Sequence, residues 1–400
     1  MMRISVLLQK NKKIIRQRMS GIYIHIPFCV KKCEYCNFFS LTDVSLKDTF
    51  LAALEKEIVL RAAYLPQDKI QSVYFGGGTP SLLSPDEIEK IIDRIRAFFT
   101  LDTNPEITLE ANPNNLTKDY LLLLKVTSVN RLSIGIQSFH ADDLRLLGRI
   151  HTATQAEACI AWAQNCGFTN LSIDLMYAFP GLTLEKWKDN LSRVKDIPHL
   201  SCYQLSLEPT TTLYRAIQAG HYKELSEEES ILQYNYLTAF ARKHHFIHYE
   251  TSNFCKANYT SKHNTSYWKA IPYLGLGPGA HSFDGNSRQW NVADVHTYLR
   301  FYSQTPDSQR YLAEAENTVF EKEYLSTEMK YNEYLMTSLR TMWGCDLAYV
   351  QSRFGETCLS HLYHHLANIH PKNYTLTKEK LILTESGSLF ADCIAASLFI

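Results

Sequence analysis

Three cysteines lie close together near the start of the chain, within the stretch GIYIHIPFCVKKCEYCNFFS at positions 21–40. Cys29, Cys33 and Cys36 are separated by three residues and then by two, directly after an apolar run typical of a β-strand. Thiolates at this spacing can bind one soft metal centre, either a zinc ion or an iron–sulfur cluster. A structural zinc site takes four ligands, often in two closely spaced pairs, and the sequence has no second CxxC motif. The pattern therefore favours a 4Fe–4S cluster held by three cysteines, with one iron open to a ligand.

The elements that must position this loop follow a regular alternation. Short apolar or β-branched runs alternate with helical patterns over the first half of the chain, and capping-box sequences mark helix starts at Ser84, Thr152 and Ser226. Six runs predict parallel strands, at 21–26, 72–75, 107–111, 131–136, 171–177 and 202–207. The alternation predicts an α/β fold, either an open doubly wound sheet or a whole or partial barrel.

Each predicted strand is followed by an unusual polar or glycine-rich stretch. The cysteine loop follows the first strand, and the later strands are followed by GGGTPS, NPNN, QSF, AFPG and EPTTT. In both candidate architectures, ligands bind at the carboxyl ends of the parallel strands. We therefore expect these stretches to build one site around the cysteine loop.

The composition is that of an ordinary globular protein and argues against some classes of function. The 400 residues include 41 Lys and Arg and 41 Asp and Glu, so the chain has no overall positive field that would favour nucleic acid. Residues 1–18 are basic, and we expect them to form a disordered extension, with the functional chain beginning at Met19. No apolar run reaches the roughly 20 residues that cross a bilayer, and the start of the chain does not fit a secretion signal. We therefore interpret the protein as cytoplasmic.

The cysteine spacing resembles the CxxxCxxC signature of the radical S-adenosylmethionine (SAM) superfamily, which lies on the loop after the first barrel strand. The stretch GGGTPS at 76–81 matches the glycine-rich stretch of that superfamily. The resemblance implies a partial (β/α)6 TIM-type barrel that binds a 4Fe–4S cluster and SAM. Gly77, Gly78 and Thr79 are then expected near the methionine carboxylate, where backbone amides could form an anion-binding nest.

Further motifs of the superfamily fall in the other strand-end loops. They imply SAM-binding roles for Tyr23, His25, Tyr35, Glu110, Gln137, Arg149 and Asp174. The chemistry suits these roles, because Arg149 can bind a carboxylate in a forked pair and Glu110 and Asp174 can accept hydrogen bonds from an ammonium group or from ribose hydroxyls. Tyr35 lies where the superfamily packs a side chain over the adenine.

Within the superfamily, YIHIPFC, GGGTPS, IGIQSF and LGRIHT resemble the branch that holds oxygen-independent coproporphyrinogen III oxidases and the heme chaperones of the HemW family. The oxidases carry a further cysteine two residues after the third, where this chain has Phe38. The sequence HNTSYW at 263–268 matches the HNxxYW motif of the HemW family. This motif implies that His263 is the iron ligand of a bound heme, with Tyr267 and Trp268 offering flat apolar surface.

The resemblance therefore implies a heme chaperone that binds a 4Fe–4S cluster, SAM and heme and delivers heme to heme-accepting proteins. It assigns no catalytic residue, and it leaves room for a homodimer and for peripheral contact with membrane heme proteins. The alternatives are a coproporphyrinogen III oxidase and a zinc-bound scaffold. In domain terms, we expect a radical SAM core at 19–305 that includes HNxxYW, and a smaller, mostly helical C-terminal domain at 320–400.

Overall fold

The computed structural model describes residues 18–65, 68–304, 315, 316 and 318–400. Its centre is a parallel sheet whose six strands neighbour one another in chain order. They are β1 (Met19–Ile26), β2 (Lys69–Gly77), β3 (Thr100–Ala111), β4 (Arg131–Gln137), β5 (Leu171–Tyr177) and β6 (His199–Gln204). The six predicted strands are thus confirmed, although the sixth begins three residues earlier than the sequence pattern suggested.

Helices connect these strands and cover them with apolar side chains. They are α1 (Lys47–Leu60), α2 (Pro85–Phe98), α3 (Lys118–Lys125), α4 (Ala141–Leu146), α5 (Ala153–Asn165), α6 (Leu184–Arg193), α7 (Thr212–Gln218) and α8 (Glu227–Lys243). The predicted capping boxes at Ser84, Thr152 and Ser226 are all present. Within the described ranges, no helix is both long and apolar enough to cross a bilayer.

Six short strands that the sequence pattern did not predict extend the sheet at both edges. At one edge β9 pairs in parallel with β1, and β10, β11 and β12 follow in antiparallel order; at the other edge β8 and then β7 follow β6. These strands are β7 (Ile247–Glu250), β8 (Asn253–Cys255), β9 (Tyr273–Leu276), β10 (His281–Phe283), β11 (Ser287–Asn291) and β12 (Phe320–Tyr324). Strands β1 and β6 do not pair with each other, so the sheet stays open as a partial barrel. Strand β1 is not at an edge of this sheet, because it lies between β9 and β2.

Two further helices, α9 (Lys262–Trp268) and α10 (Val295–Gln304), lie between these added strands. The remaining elements build a smaller C-terminal part with its own apolar core, which includes Tyr331, Leu335, Val350 and Leu362. They are α11 (Thr327–Ser338), α12 (Leu347–Phe354), α13 (Glu356–Leu366), α14 (Glu385–Ser388) and α15 (Ala391–Ser397), with strands β13 (Cys345–Asp346), β14 (Tyr374–Leu376) and β15 (Lys380–Leu383). The expected basic extension lies outside the described residues, except for Arg18.

A buried carboxylate joins the first helix to the added strands. Glu57 of α1 is fully buried, and it accepts hydrogen bonds from Gly277 N at 2.7 Å, Asn291 Nδ2 at 2.6 Å and Tyr298 Oη at 2.7 Å. The Arg61 guanidinium lies 3.8 Å from the same carboxylate and is buried with it. Glu57 therefore holds the strand extension against the parallel sheet.

We expect Glu57→Ala to lower the free energy of unfolding by about 3 to 5 kcal/mol, because it leaves the Arg61 charge and several donors buried without a partner. Urea denaturation followed by circular dichroism measures this change. Glu55→Ala is the matched control, since Glu55 is an exposed residue of the same helix, and its effect should stay within about 0.5 kcal/mol. Equal losses in the two variants would contradict the structural role of Glu57.

Candidate cluster and cofactor site

The cysteine loop follows β1 and is closed by hydrogen bonds at its two ends. Leu41 N donates to Pro27 O at 2.7 Å, and Cys29 N donates to Leu41 O at 2.8 Å. The three thiols are free and half-buried. Burial raises the pKa of the Cys36 thiol above its ordinary value, and the nearby Cys33 and Cys29 act in the same direction. The three sulfur atoms thus share one neighbourhood.

The geometry of the thiols suits a cluster better than a single ion. Across the part of the chain that the structure describes, no three His, Cys, Asp or Glu side chains converge where one metal ion could bind them. A structural zinc site needs four donors around one ion, whereas a cubane cluster takes each cysteine on a different iron. The donor set therefore fits a 4Fe–4S cluster.

Arg149 lies against the cluster loop rather than apart from it. Its Nη1 donates to Cys33 Sγ at 3.4 Å, and its Nη2 donates to Gly135 O. The Nε atom is buried and has no hydrogen-bond partner among the described residues. The Nε–H of Arg149 is thus available to a ligand, while Nη1 contacts the cluster loop and Nη2 contacts β4.

Tyr35 also belongs to this contact, since its half-buried side chain lies beside Arg149 and Cys33. Gln137 lies close by, because a Cβ placed on Gly135 would come within 3.1 Å of Gln137 Nε2 and 3.4 Å of Arg149 Nη2. Gln137 has a φ of 70° at the end of β4, a left-handed conformation that costs energy for a residue other than glycine. Such strain is common where a side chain must point into a functional site.

Tyr23 and His25 attach the far end of the cluster loop to β1. His25 Nε2 lies 2.8 Å from Phe39 O, and a carbonyl oxygen can only accept, so Nε2 carries the proton. His25 Nδ1 then accepts from Tyr23 Oη at 3.2 Å. Burial lowers the pKa of His25 and keeps the ring neutral. The predicted contact of both residues with SAM stays a prediction, and their observed role is to shape the loop.

The glycine-rich stretch packs closely against the end of β1. Gly78 N donates to Ile26 O at 2.8 Å, and Thr79 N donates to Phe28 O at 2.7 Å. The Gly77 amide is bonded to the Glu110 carboxylate. A Cβ on Gly78 would lie 2.6 Å from Phe28 O, which explains why glycine is needed there. The amides of Gly78 and Thr79 thus bond within the protein, and the anion-binding nest expected at Gly77–Thr79 stays a prediction.

Two half-buried carboxylates, Glu110 on β3 and Asp174 on β5, lie close to each other. Glu110 accepts a hydrogen bond from Tyr74 Oη at 2.8 Å, and burial raises its pKa to about 7, with Asp174 acting in the same direction. Asp174 accepts from Ser133 Oγ at 3.0 Å, and burial raises its pKa as well. Both can accept further hydrogen bonds from an ammonium group or from hydroxyls.

His263 is sealed inside the molecule. Its side chain is buried, with Nδ1 at 2.9 Å from Ser72 Oγ and Nε2 at 2.8 Å from Tyr267 Oη. The ring stacks on Tyr74 at a centroid distance of 4.9 Å, and burial together with the charge of Arg131 lowers its pKa to about 3. Both ring nitrogens are hydrogen-bonded to protein hydroxyls here, and ligation of heme iron by His263 stays a prediction.

Most of the predicted site residues fall into two groups, whereas Gln137 lies beside Arg149 and Asp174 is hydrogen-bonded to Ser133. The cluster-loop group contains the three cysteines with His25, Tyr35, Arg149 and Gly77–Thr79. The second group surrounds a cavity of about 490 Å³ lined by Tyr23, Glu110, His263, Tyr267 and Trp268, among others. Tyr23 belongs to both groups, since it is bonded to His25 and lines the cavity.

Three polar residues of this interior were not predicted. Ser72 is hydrogen-bonded to His263, and Tyr74 is hydrogen-bonded to Glu110. Glu106 accepts hydrogen bonds from Lys262 N and His263 N at the start of α9, both at 3.0 Å. Strand alternation could have found them, because Ser72 and Tyr74 share one face of β2 and Glu106 shares a face of β3 with Glu110. That face points to the same interior as the predicted residues.

Comparison with known proteins places this geometry in a family. The pattern of the radical SAM superfamily matches residues 23–194. A Bacillus subtilis protein named heme chaperone HemW is 36% identical over 285 residues, which cover 70% of this chain and 75% of the relative. A Mycobacterium tuberculosis protein of the same name is 31% identical over 388 residues, which cover 94% of each chain. The chain belongs to the HemW family of radical SAM proteins.

The HemW-type chain shares its fold with a solved radical SAM enzyme, the coproporphyrinogen III oxidase HemN from Escherichia coli. The TM-score is 0.80 at 23% identity, and the match covers 96% of this chain and 90% of the other. This likeness confirms the fold class, a partial barrel with a smaller C-terminal part. Membership of the HemW family also gives the chain a 4Fe–4S cluster and SAM as cofactors.

Proposed function

We propose that this chain is a heme chaperone that binds a 4Fe–4S cluster and SAM, holds heme, and delivers the heme to other proteins. The proposal rests on the relation, over almost the whole chain, to a protein named heme chaperone HemW, 31% identical over 388 residues. Phe38 supports this choice over an oxidase, because the resemblance places a further cysteine of the oxidases at its position.

Cys29, Cys33 and Cys36 are the proposed ligands of the cluster, which when bound supplies an open iron able to chelate the amine and carboxylate of SAM. The chain's own residues would orient the rest of the molecule. The Nε of Arg149, which has no hydrogen-bond partner among the described residues, can donate to a carboxylate, and the half-buried Glu110 and Asp174 can accept from the amine N–H groups or the ribose hydroxyls. Gln137 and Tyr35 complete the proposed contacts from positions beside Arg149.

Two assays separate the proposed function from the oxidase. Anaerobically reconstituted protein is expected to bind hemin with a Soret band that remains after gel filtration. The same preparation, given a reductant, SAM and coproporphyrinogen III, is expected to release no carbon dioxide. An authentic coproporphyrinogen III oxidase serves as the positive control. Turnover at a rate comparable with that control would establish the oxidase instead, and a preparation that holds zinc without iron would leave only the scaffold.

The cellular setting follows from the chaperone role. Heme-accepting proteins are the proposed partners, and the cytoplasm is the proposed location. Peripheral contact with membrane-bound acceptors and a homodimer are further proposals. Residues 320–400 are proposed as a separate domain, and the independent apolar core around Tyr331 and Leu335 supports that division.

A further inference from the structure

A large cavity lies where the cluster loop, the added strands and the C-terminal helices meet. Its volume is about 950 Å³, near the upper end of the range for small-molecule sites. Residues 37–39 of the cluster loop, His281 of β10, and Lys330 and Arg353 of the C-terminal helices line it. Phe39 Cβ lies 3.6 Å from the position of a Cβ on Gly279, so the loop packs against the segment that carries His281. The cavity therefore adjoins the proposed cluster directly.

The walls of this cavity are rich in aromatic side chains. Trp268, Phe283 and Tyr349 line it. Phe38 lines it too, yet its side chain is 70% exposed. A large apolar side chain left open inside a cavity is a ready surface for a flat apolar ligand. A planar macrocycle matches both the size and the composition of these walls.

His281 offers the free imidazole that His263 lacks. Its ring stacks on Trp290 at a centroid distance of 5.9 Å and an interplanar angle of 26°. In contrast with His263, neither ring nitrogen is hydrogen-bonded to any residue in the described ranges. A fixed ring with a free nitrogen is what an iron in the cavity requires of an axial ligand.

Two cations of the C-terminal helices remain available for anionic groups. Among the described residues, Arg353 forms no ion pair, and the ammonium of Lys330 is bonded to the neutral Asn286 Oδ1 at 3.0 Å. Arg288 also lines the cavity, but Glu333 holds it in a bidentate pair at 2.6 and 2.9 Å. Arg353 and Lys330 are therefore the groups that can pair with the two propionates of a heme.

We propose that this cavity is the heme site, with His281 as an axial ligand, Phe38 against the macrocycle, and Arg353 and Lys330 beside the propionates. The inference rests on the proposed heme-binding function and names its site. His263 then acts indirectly, since its bond to Tyr267 fixes an aromatic residue that lines both this cavity and the smaller one.

Titration of the full-length, anaerobically reconstituted chain with hemin tests the ligand. His281→Ala is expected to shift the Soret band and to raise the dissociation constant about tenfold or more, because one iron ligand is lost. His263→Ala should keep the wild-type Soret position. His221→Ala is the matched control, since His221 is an exposed histidine outside the two cavities, and it should leave both quantities unchanged.

Titration with iron-free protoporphyrin IX tests binding in the cavity separately from ligation of iron by His281. Its binding, followed by fluorescence, should be equal in wild type and His281→Ala, because no iron is present to ligate. Arg353→Glu should weaken it about tenfold, because a propionate then meets a like charge. If His281→Ala does not fold, His281→Met provides the same test, since a thioether ligand should change the Soret position without emptying the cavity.

The outcomes are distinct. If His263→Ala loses the Soret band while His281→Ala keeps it, the inference is overturned and the heme function stands. An equal affinity for protoporphyrin in wild type and in Arg353→Glu would likewise exclude this cavity as the heme site. If the wild-type chain binds no heme at all, the proposed function itself fails.

Discussion

Cys33→Ser is expected to yield a protein with almost no cluster iron after anaerobic reconstitution, whereas the unaltered chain should hold about four irons. The loop supplies three thiols, and Cys33 is the one that the Arg149 guanidinium contacts. Its loss removes one of the three cluster ligands together with its contact to Arg149. SAM binding should disappear at the same time, because the iron that chelates SAM is then absent. Iron and sulfide analysis, with equilibrium dialysis of labelled SAM, measures both effects.

Cys393→Ser is the control for this prediction, since Cys393 is an exposed thiol in the C-terminal part. It should retain the full iron content and SAM affinity. A Cys33→Ser protein that still holds a cubane cluster and binds SAM normally would rule out the assignment of the three cysteines.

The affinity for SAM is expected to fall at acidic pH, with the dissociation constant rising about tenfold per unit below pH 7. Burial raises the pKa of Glu110 to about 7, and only the ionised carboxylate has both oxygens free to accept from the N–H groups of the SAM amine or from its ribose hydroxyls. The other charged or titratable groups that act on Glu110 are Tyr74, Asp174 and Arg131. Glu110→Gln should flatten the pH profile and weaken binding above pH 7. Calorimetric titration between pH 5.5 and 8.5 measures the profile.

Glu55→Gln is the control, because Glu55 is an exposed carboxylate on α1 that lines neither cavity. It should leave the SAM profile unchanged.

The folded-state pKa of Glu110 exceeds its unfolded value, so the folded chain binds more protons between about pH 4.5 and 7, and stability should fall as pH rises through that window. Glu110→Gln should remove up to about 3 kcal/mol of this fall. An unchanged SAM profile in Glu110→Gln would exclude Glu110 as the titrating group.

The parallel half of the fold could be predicted because its signals are local. Each of β1 to β6 contains a short apolar or β-branched run, and the capping boxes at Ser84, Thr152 and Ser226 depend only on residues three apart. The added strands were missed because they are three to five residues long and depend on distant partners. Gly21, for example, pairs with Tyr273, and no local pattern encodes such a pairing.

The candidate site shows the same division between residue types and partners. The sequence predicted which loops carry the cysteines, glycines and carboxylates, and the structure gathers them around the cluster loop and the neighbouring interior. The sequence could not predict that the carbonyl oxygens of Ile26 and Phe28 would accept hydrogen bonds from the amides of Gly78 and Thr79. Nor could the HNxxYW motif reveal that Ser72, on β2, is hydrogen-bonded to Nδ1 of His263. Both outcomes depend on backbone and side-chain contacts between segments far apart in sequence.

The central position of β1 has a consequence for how the protein is made in the cell. A ribosome synthesises β2 soon after β1, but it reaches β9 only much later, so one edge of the strand that bears the cysteines stays unpaired during most of translation. Strand β1, which leads into the cysteine loop, has partners on both edges only once the nascent chain has passed Leu276. Iron–sulfur insertion should therefore belong to a late stage of biogenesis, and ribosome-bound chains halted before that point should fail to retain iron.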